Sequence, residues 1–135
     1  MSEDPLPFLR LDFVYTPSDD VVRDMAYFVD ILGGRPVFAI EGMGARVGAV
    51  ALTEEPPVIL LTDHVEGDRP ILVYRVADFD AALADLEARG WSRSGTFEIP
   101  HGPCCSFATP GGHRVAVYEL TRPEAAAHFD GRFDF

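Results

Sequence analysis

His64, His101, His113 and His128 are the histidines of the chain. No two of them stand as HxH or HxxxH, the spacings that put two imidazoles on one side of a strand or helix. All four fall in stretches that read as loops, turns or the tail. A metal site from His64, His101, His113 and Glu119 would need a fold that gathers them into tight ligand geometry. Cys104 and Cys105 follow His101-Gly102-Pro103. A thiol nucleophile needs a base or positive neighbour to lower its pKa. Adjacent residues on a strand face opposite ways, so one thiol reads as a cleft residue and the other as packing beneath a helix. The plainer reading is two small buried hydrophobes, as free cysteines usually are.

Arg75 shares a strand face with Ile71 and Val73. Facing a cleft, it would suit a carboxylate or phosphate on a ligand. At the end of a sheet it would pair with Asp78 or Asp80, and both readings stay open. Phe13, Tyr15, Ala116, Tyr118 and Phe107 form the aromatic and small set expected on the same cleft. They could stack on a flat ligand or fill a core without a cavity. Trp91, directly after Gly90, reads as a residue packing helix against sheet.

The elements that must position these residues come in a repeated order. Leu9 to Tyr15 alternates apolar residues and reads as a strand. Pro17-Ser18-Asp19-Asp20 breaks it and offers helix N-cap side chains. Val22, Met25, Phe28 or Val29, and Leu32 make an apolar stripe, and Gly33-Gly34 ends it. Arg35 to Ile40, Val47 to Leu52 and Pro57 to Thr62 read as strands, punctuated by Gly42, Gly44 and Glu54-Glu55-Pro56. The order then restarts. Ile71 to Val76 is a strand, Asp78 caps a helix with the stripe Phe79, Ala82, Leu83 and Leu86, and Gly90 stops it. Trp91 to Ile99, Cys104 to Thr109 and His113 to Leu120 are three more strands. Each half is therefore βαβββ, an internal repeat in an α+β protein. Residues 1–120 read as one domain, with modules at about Leu9 to Asp63 and Pro70 to Leu120. Residues 121–135 read as a C-terminal tail, whose Phe129, Phe133 and Phe135 suggest docking onto the domain or a second subunit. A sheet covered by its helix on one face leaves the other apolar. Two such faces closing on each other would leave a cavity for a small ligand.

Hydrophobic residues make up 47% of the 135, enough for a core. The formal net charge of -11 repels phosphate backbones and anionic lipid, so neither nucleic acid nor a membrane surface is an expected partner. No apolar run approaches the ~20 residues that span a bilayer. The start, Met1-Ser2-Glu3-Asp4-Pro5, does not read as a secretory signal. A cytoplasmic protein with reduced thiols is the expectation.

Two stretches and the repeat order resemble the vicinal oxygen chelate superfamily of glyoxalase I, bleomycin-resistance proteins and extradiol dioxygenases. Tyr74-Arg75-Val76-Ala77-Asp78-Phe79-Asp80-Ala81-Ala82 resembles the strand-to-helix opening of the second module. Thr109-Pro110-Gly111-Gly112-His113-Arg114-Val115-Ala116-Val117-Tyr118 resembles the turn and last strand. The resemblance implies that enzymes of the superfamily hold a divalent metal with His and Glu from cleft-lining strands, as a Lewis acid. Carried over, the first-strand His position falls on Phe13, the second-module His on Ile71 and the last-strand Glu on Ala116. The remaining position lies within Val58 to Asp63, in a register that one slip would reverse. Three apolar residues cannot hold a divalent ion. The resemblance therefore implies a departure toward the metal-free members that bind and sequester drugs.

The expectation is a homodimeric protein with no metal and no cofactor, binding a small organic ligand between its modules. Its ligand contacts would come from Phe13, Tyr15, Ile71, Val73, Arg75, Phe107, Ala116 and Tyr118, with Arg75 favouring a flat or apolar anion. The alternatives are a metal-dependent lyase, isomerase or dioxygenase with an unusual ligand set, a metal-free catalyst, and an interaction module with a filled cleft.

Overall fold

The computed structural model describes residues 6–42 and 44–135. The acidic start, Met1 to Pro5, lies outside the described residues. The first module runs β1 (Arg10–Pro17), α1 (Val21–Ala26) continuing as a π-helical turn (Tyr27–Ile31), β2 (Arg35–Gly42), β3 (Ala45–Ala51) and β4 (Val58–Thr62). The second runs β5 (Ile71–Val76), α2 (Phe79–Ala88), β6 (Thr96–Ile99), β7 (Gly102–Ala108) and β8 (Arg114–Glu119), and α3 (Ala125–Phe129) follows. Asp20 caps α1 by accepting from the Arg23 amide, and Asp78 caps α2 by accepting from that of Ala81, both at 3.0 Å. This is the α+β fold of paired βαβββ modules that the sequence predicts.

The eight strands form one sheet in the order β2-β3-β4-β1-β5-β8-β7-β6. The modules do not close face to face. They join edge to edge, β1 running antiparallel to β5, while β1 pairs with β4 and β5 with β8 in parallel. The register is symmetric about that seam. Tyr15 lies beside Ile71 and Leu60, and Val73 lies beside Phe13 and Ala116.

Helices α1 and α2 cover one face of the sheet. Under α2, Phe79, Leu83, Val76, Cys105 and Val117 form a buried cluster, with Trp91 packed against it. Under α1, Val21, Met25, Val50 and Leu61 do the same. Met25 sits so close to β3 that a Cβ on Gly48 would lie 2.6 Å from its Sδ, which leaves room only for glycine there. The stripe expected on the first helix is shifted. Val22 and Leu32 are 45% and 50% exposed, and Val21 is buried in place of Val22. The helix starts one residue nearer its cap than the stripe implied, and the wider π-turn rotates the later residues.

The tail docks on its own domain. Arg122 donates to the Pro100 and Ile99 carbonyls and pairs with Glu98. Farther on, the tail runs beside β2, where the Ala39 amide donates to the Arg132 carbonyl and Ala39 bridges Phe133 in parallel. The outer edge of β2 is thereby covered within one chain. No helix among the described residues is long and apolar enough to cross a membrane.

Candidate functional site

Opposite α1 and α2, the sheet forms a half-open cavity of about 390 Å³ to which all eight strands contribute. The first module supplies Phe13 and Tyr15 from β1, Phe38 and Ile40 from β2, Val47 from β3 and Leu60 from β4. The second supplies Ile71 and Val73 from β5, Cys104 and Ser106 from β7, and Ala116 from β8. Phe97 and Ile99 of β6 complete its strands. Phe129 of α3 reaches in from the tail, its ring 5.9 Å from Phe38 and 6.5 Å from His101. The wall is apolar almost throughout, and among the described residues no Asp, Glu, Lys or Arg side chain belongs to it.

Polar groups meet the cavity at separate places. In one, Tyr15 Oη lies 3.1 Å from His64 Nε2, while His64 Nδ1 lies 2.6 Å from Thr62 Oγ1. Burial pushes the Tyr15 phenol up, the Thr62 hydroxyl opposes this and Asp63 adds to it. In another, His101 sits among the rings of Phe13, Tyr118 and Phe129. Burial lowers its pKa, against the pull of Asp130 and Asp12, which favours a neutral imidazole. Ser106 adds a hydroxyl to the β7 wall.

Of the eight residues picked from the sequence, Phe13, Tyr15, Ile71, Val73 and Ala116 line the cavity. Tyr118, Arg75 and Phe107 do not. Tyr118 lies beside Arg75 across β8 and β5, on the inner face but beyond the end of the cavity. Its hydroxyl donates to Asp12 Oδ2, and burial followed by this bond raises its pKa. Arg75 Nε lies 3.3 Å from the same carboxylate oxygen, without hydrogen-bond geometry, and Arg10 Nε donates to Oδ1 at 2.7 Å. Arg75 therefore has a carboxylate partner, but it is Asp12 rather than Asp78 or Asp80. Asp12 sits where the β1–β5 register shifts, and such an irregularity re-aims a side chain in a way alternation does not foresee. Phe107 packs against Trp91 at 5.3 Å on the helix face. Alternation pairs Phe107 with Cys105 but does not say which face they take.

The cysteines divide as the alternation required, Cys104 on the cavity and Cys105 under α2. Burial pushes the Cys104 thiol up to about 12, which makes it a poor nucleophile. Phe38 and Ile40 alternate along β2, so strand periodicity alone could have added them to the set. His64, His101 and Phe129 come from a linker, a turn and the tail, and nothing local in the sequence points them at the cavity.

The register supplies the fourth position of the superfamily's metal pattern. Leu60 is the β4 residue on the cavity wall, beside Tyr15. Phe13, Leu60, Ile71 and Ala116 have no donor atoms, so these residues do not fit a divalent metal. Among the described residues, no three His, Cys, Asp or Glu side chains stand close enough to hold one.

No family model and no curated protein matches the sequence. Solved structures do match. Methylmalonyl-CoA epimerase from Mycobacterium tuberculosis is 20% identical with a TM-score of 0.69, over 86% of this chain and 91% of that one. A second methylmalonyl-CoA epimerase is 16% identical with a TM-score of 0.68, over 88% and 100%. A variant of the Streptomyces coelicolor methylmalonyl-CoA epimerase, in complex with 2-nitronate-propionyl-CoA, is 14% identical with a TM-score of 0.67, over 85% and 99%. These likenesses, with the module order and the seam between β1 and β5, show that the chain has the fold of the vicinal oxygen chelate superfamily, to which glyoxalases and bleomycin-resistance proteins belong.

Proposed function

We propose that the chain is a metal-free binding protein that holds a flat, apolar, uncharged organic molecule in the cavity shared by its two modules. One observation carries this reading: about 390 Å³ walled by apolar side chains from every strand of the sheet. That volume falls within the range of small-molecule sites, and apolar walls gain by releasing water onto an apolar guest. The charge preference differs from the anion expected from the sequence. Arg75 is held by Asp12 off the wall, so among the described residues no Arg or Lys side chain on the wall meets an anion. A metal-dependent lyase, isomerase or dioxygenase is disfavoured, because the wall positions that would ligate carry Phe13, Leu60, Ile71 and Ala116.

Pairing of two copies belongs to the same reading. Strand β6 ends the sheet, and Phe97 upon it is 47% exposed. Light scattering should give a dimer mass, and a monomer at high concentration would remove this part. The two buried, unpaired thiols fit a reducing compartment such as the cytoplasm.

Native mass spectrometry of protein purified from its own host should show a co-purifying organic mass. Ala116→Trp should abolish that mass with little change in melting temperature, since the ring has a cavity to enter. A destabilisation of about 1–3 kcal/mol, the penalty for overpacking, together with no bound mass in the wild type, would overturn the proposal.

A further inference from the structure

The polar side chains at the cavity differ in what they have left to offer a guest. Tyr15, His64 and Thr62 are linked to one another by hydrogen bonds, so that group is occupied with itself. Cys104 offers a thiol, a weak donor, and Ser106 a hydroxyl that is free to turn. His101 is different. It stands between β6 and β7 in the second module, and its ring has no hydrogen-bond partner among the described residues. Asp130, Asp12 and Arg122 are near enough to act on it through space, yet none of them bonds to it. Nor are its nitrogens sealed away. Among the described residues, Arg75 Nε is the one fully buried side-chain nitrogen or oxygen without a hydrogen bond. The His101 nitrogens also lack one, so they must touch space that solvent can enter.

The ring is nevertheless held in place. The His101 carbonyl accepts from the amides of Thr121 and Arg122 at 3.0 and 2.9 Å. The rings of Phe13 and Tyr118 lie 5.7 and 6.1 Å from the imidazole, and Phe129 approaches from the tail at 6.5 Å. Phe13 and Phe129 line the cavity, as His101 does. A neutral imidazole carries one N–H donor and one bare acceptor nitrogen. Without a ligand, water serves both. A wholly apolar guest that displaces this water leaves a polar group unserved, which costs more than a formed bond contributes. With no protein partner to fix the tautomer, either nitrogen can carry the proton. A hydroxyl both donates and accepts, so it answers either nitrogen. An ether or a carbonyl answers only the N–H.

We infer that His101 is a specificity-determining residue of the cavity, and that it selects flat apolar ligands bearing an un-ionised hydroxyl group, such as phenols. This rests on the reading of the cavity as a binding site. It goes beyond that reading by naming the group the ligand carries and the side chain that receives it. The hydroxyl lies toward the turn between β6 and β7, and the apolar body of the ligand lies along the strands.

Three probes of nearly one shape, naphthalene, 2-naphthol and 2-methoxynaphthalene, separate the two claims. They are titrated at a pH where the phenol and the imidazole are both neutral. Failure of all three to bind would overturn the binding reading itself. 2-Naphthol should bind about three- to ten-fold tighter than naphthalene, the span of one neutral hydrogen bond. It should also bind tighter than 2-methoxynaphthalene, which has no proton to donate. His101→Phe keeps a ring among the neighbouring rings and removes both nitrogens, so it should bring 2-naphthol level with naphthalene. Equal affinities in the wild type, or a preference that survives His101→Phe or that Ser106→Ala removes instead, would overturn the role of His101 and leave the cavity standing. The imidazole ¹⁵N shifts of His101 give an independent check on the wild-type protein. They should move further with 2-naphthol than with naphthalene, and equal movement would overturn the inference.

Discussion

The two modules share one chain path and nearly one register, yet they do different things with it. In the second, α2 is a regular helix whose Phe79 and Leu83 are buried against β8 and β7 neighbours. In the first, α1 is short and opens into a π-turn, leaving Val22, Ile31 and Leu32 exposed. The cavity shows the same split. Symmetric positions hold Phe13 and Ile71, Leu60 and Ala116, Tyr15 and Val73. At these paired positions the first module brings bulk and a phenolic hydroxyl, while the second brings smaller aliphatic side chains. A repeat fixes where side chains stand. Which chemistry stands there is decided separately in each half.

Truncations beneath the two helices should give the largest contrast. Leu83→Ala, at a position with no exposure, should cost about 2–5 kcal/mol in denaturant unfolding, the range for a buried leucine cut to alanine. Met25→Ala should fall near the lower end, about 2 kcal/mol, because the residue retains some exposure and the neighbouring Gly48 has no side chain to strand. Equal losses would mean that the π-turn leaves the first module as well packed as the second.

Next in size is the tie between the modules. Asp12 on β1 accepts from Tyr118 on β8 and faces Arg75 on β5. Asp12→Asn should lower stability by about 1.5–3 kcal/mol, as for hydrogen bonds to a charged group. Tyr118→Phe should lower it by less, since Arg10 and Arg75 would still hold the carboxylate. A neutral Asp12→Asn in equilibrium unfolding would remove this tie from the account of how the halves stay joined.

A smaller effect should follow from His101 in the second module. Its folded pKa lies below its ordinary value of 6.5 because it is partly buried. The unfolded chain therefore binds the proton more readily. The contribution is fully present above pH 6.5 and is lost as pH falls through the folded pKa. Unfolding midpoints measured across that window should decline toward acid, and His101→Gln should flatten part of the decline. A variant with an unchanged slope would show that other groups account for it.

The smallest effect concerns the two adjacent thiols. With Cys104 raised to about 12 by burial and Cys105 fully buried, iodoacetamide at pH 8 should label the folded protein far more slowly than the unfolded one. Rapid labelling that Cys104→Ser removes would show that the second module's wall is open to water and reactive.

Much of the fold is legible in the sequence, because each half carries local signals in a fixed order. Asp20 and Asp78 cap helices as predicted, and the boundaries of β4 and β5 differ from the predicted ones by at most one residue. The candidate site is legible in part. Alternation names Phe13, Tyr15, Ile71, Val73 and Ala116, since side chains on a strand have only two directions. It misplaces Phe107 because a strand with apolar residues on both faces does not declare which is inner. It misplaces Arg75 and Tyr118 because periodicity gives a face but not a height along the strand.

What the sequence determined by itself was therefore the periodic part: two βαβββ units, their caps, the stripe of the second helix, and a set of strand faces without metal donors. Those follow from the period of the chain and the chemistry of single residues. Only the tertiary structure decided that the modules join edge to edge, that Asp12 draws Arg75 and Tyr118 away from the cleft, and that His64, His101 and Phe129 reach it. Those contacts join residues far apart in the chain through linker, turn and tail. Their positions depend on which surfaces the rest of the fold leaves to be covered, and that information is not local to any stretch of sequence.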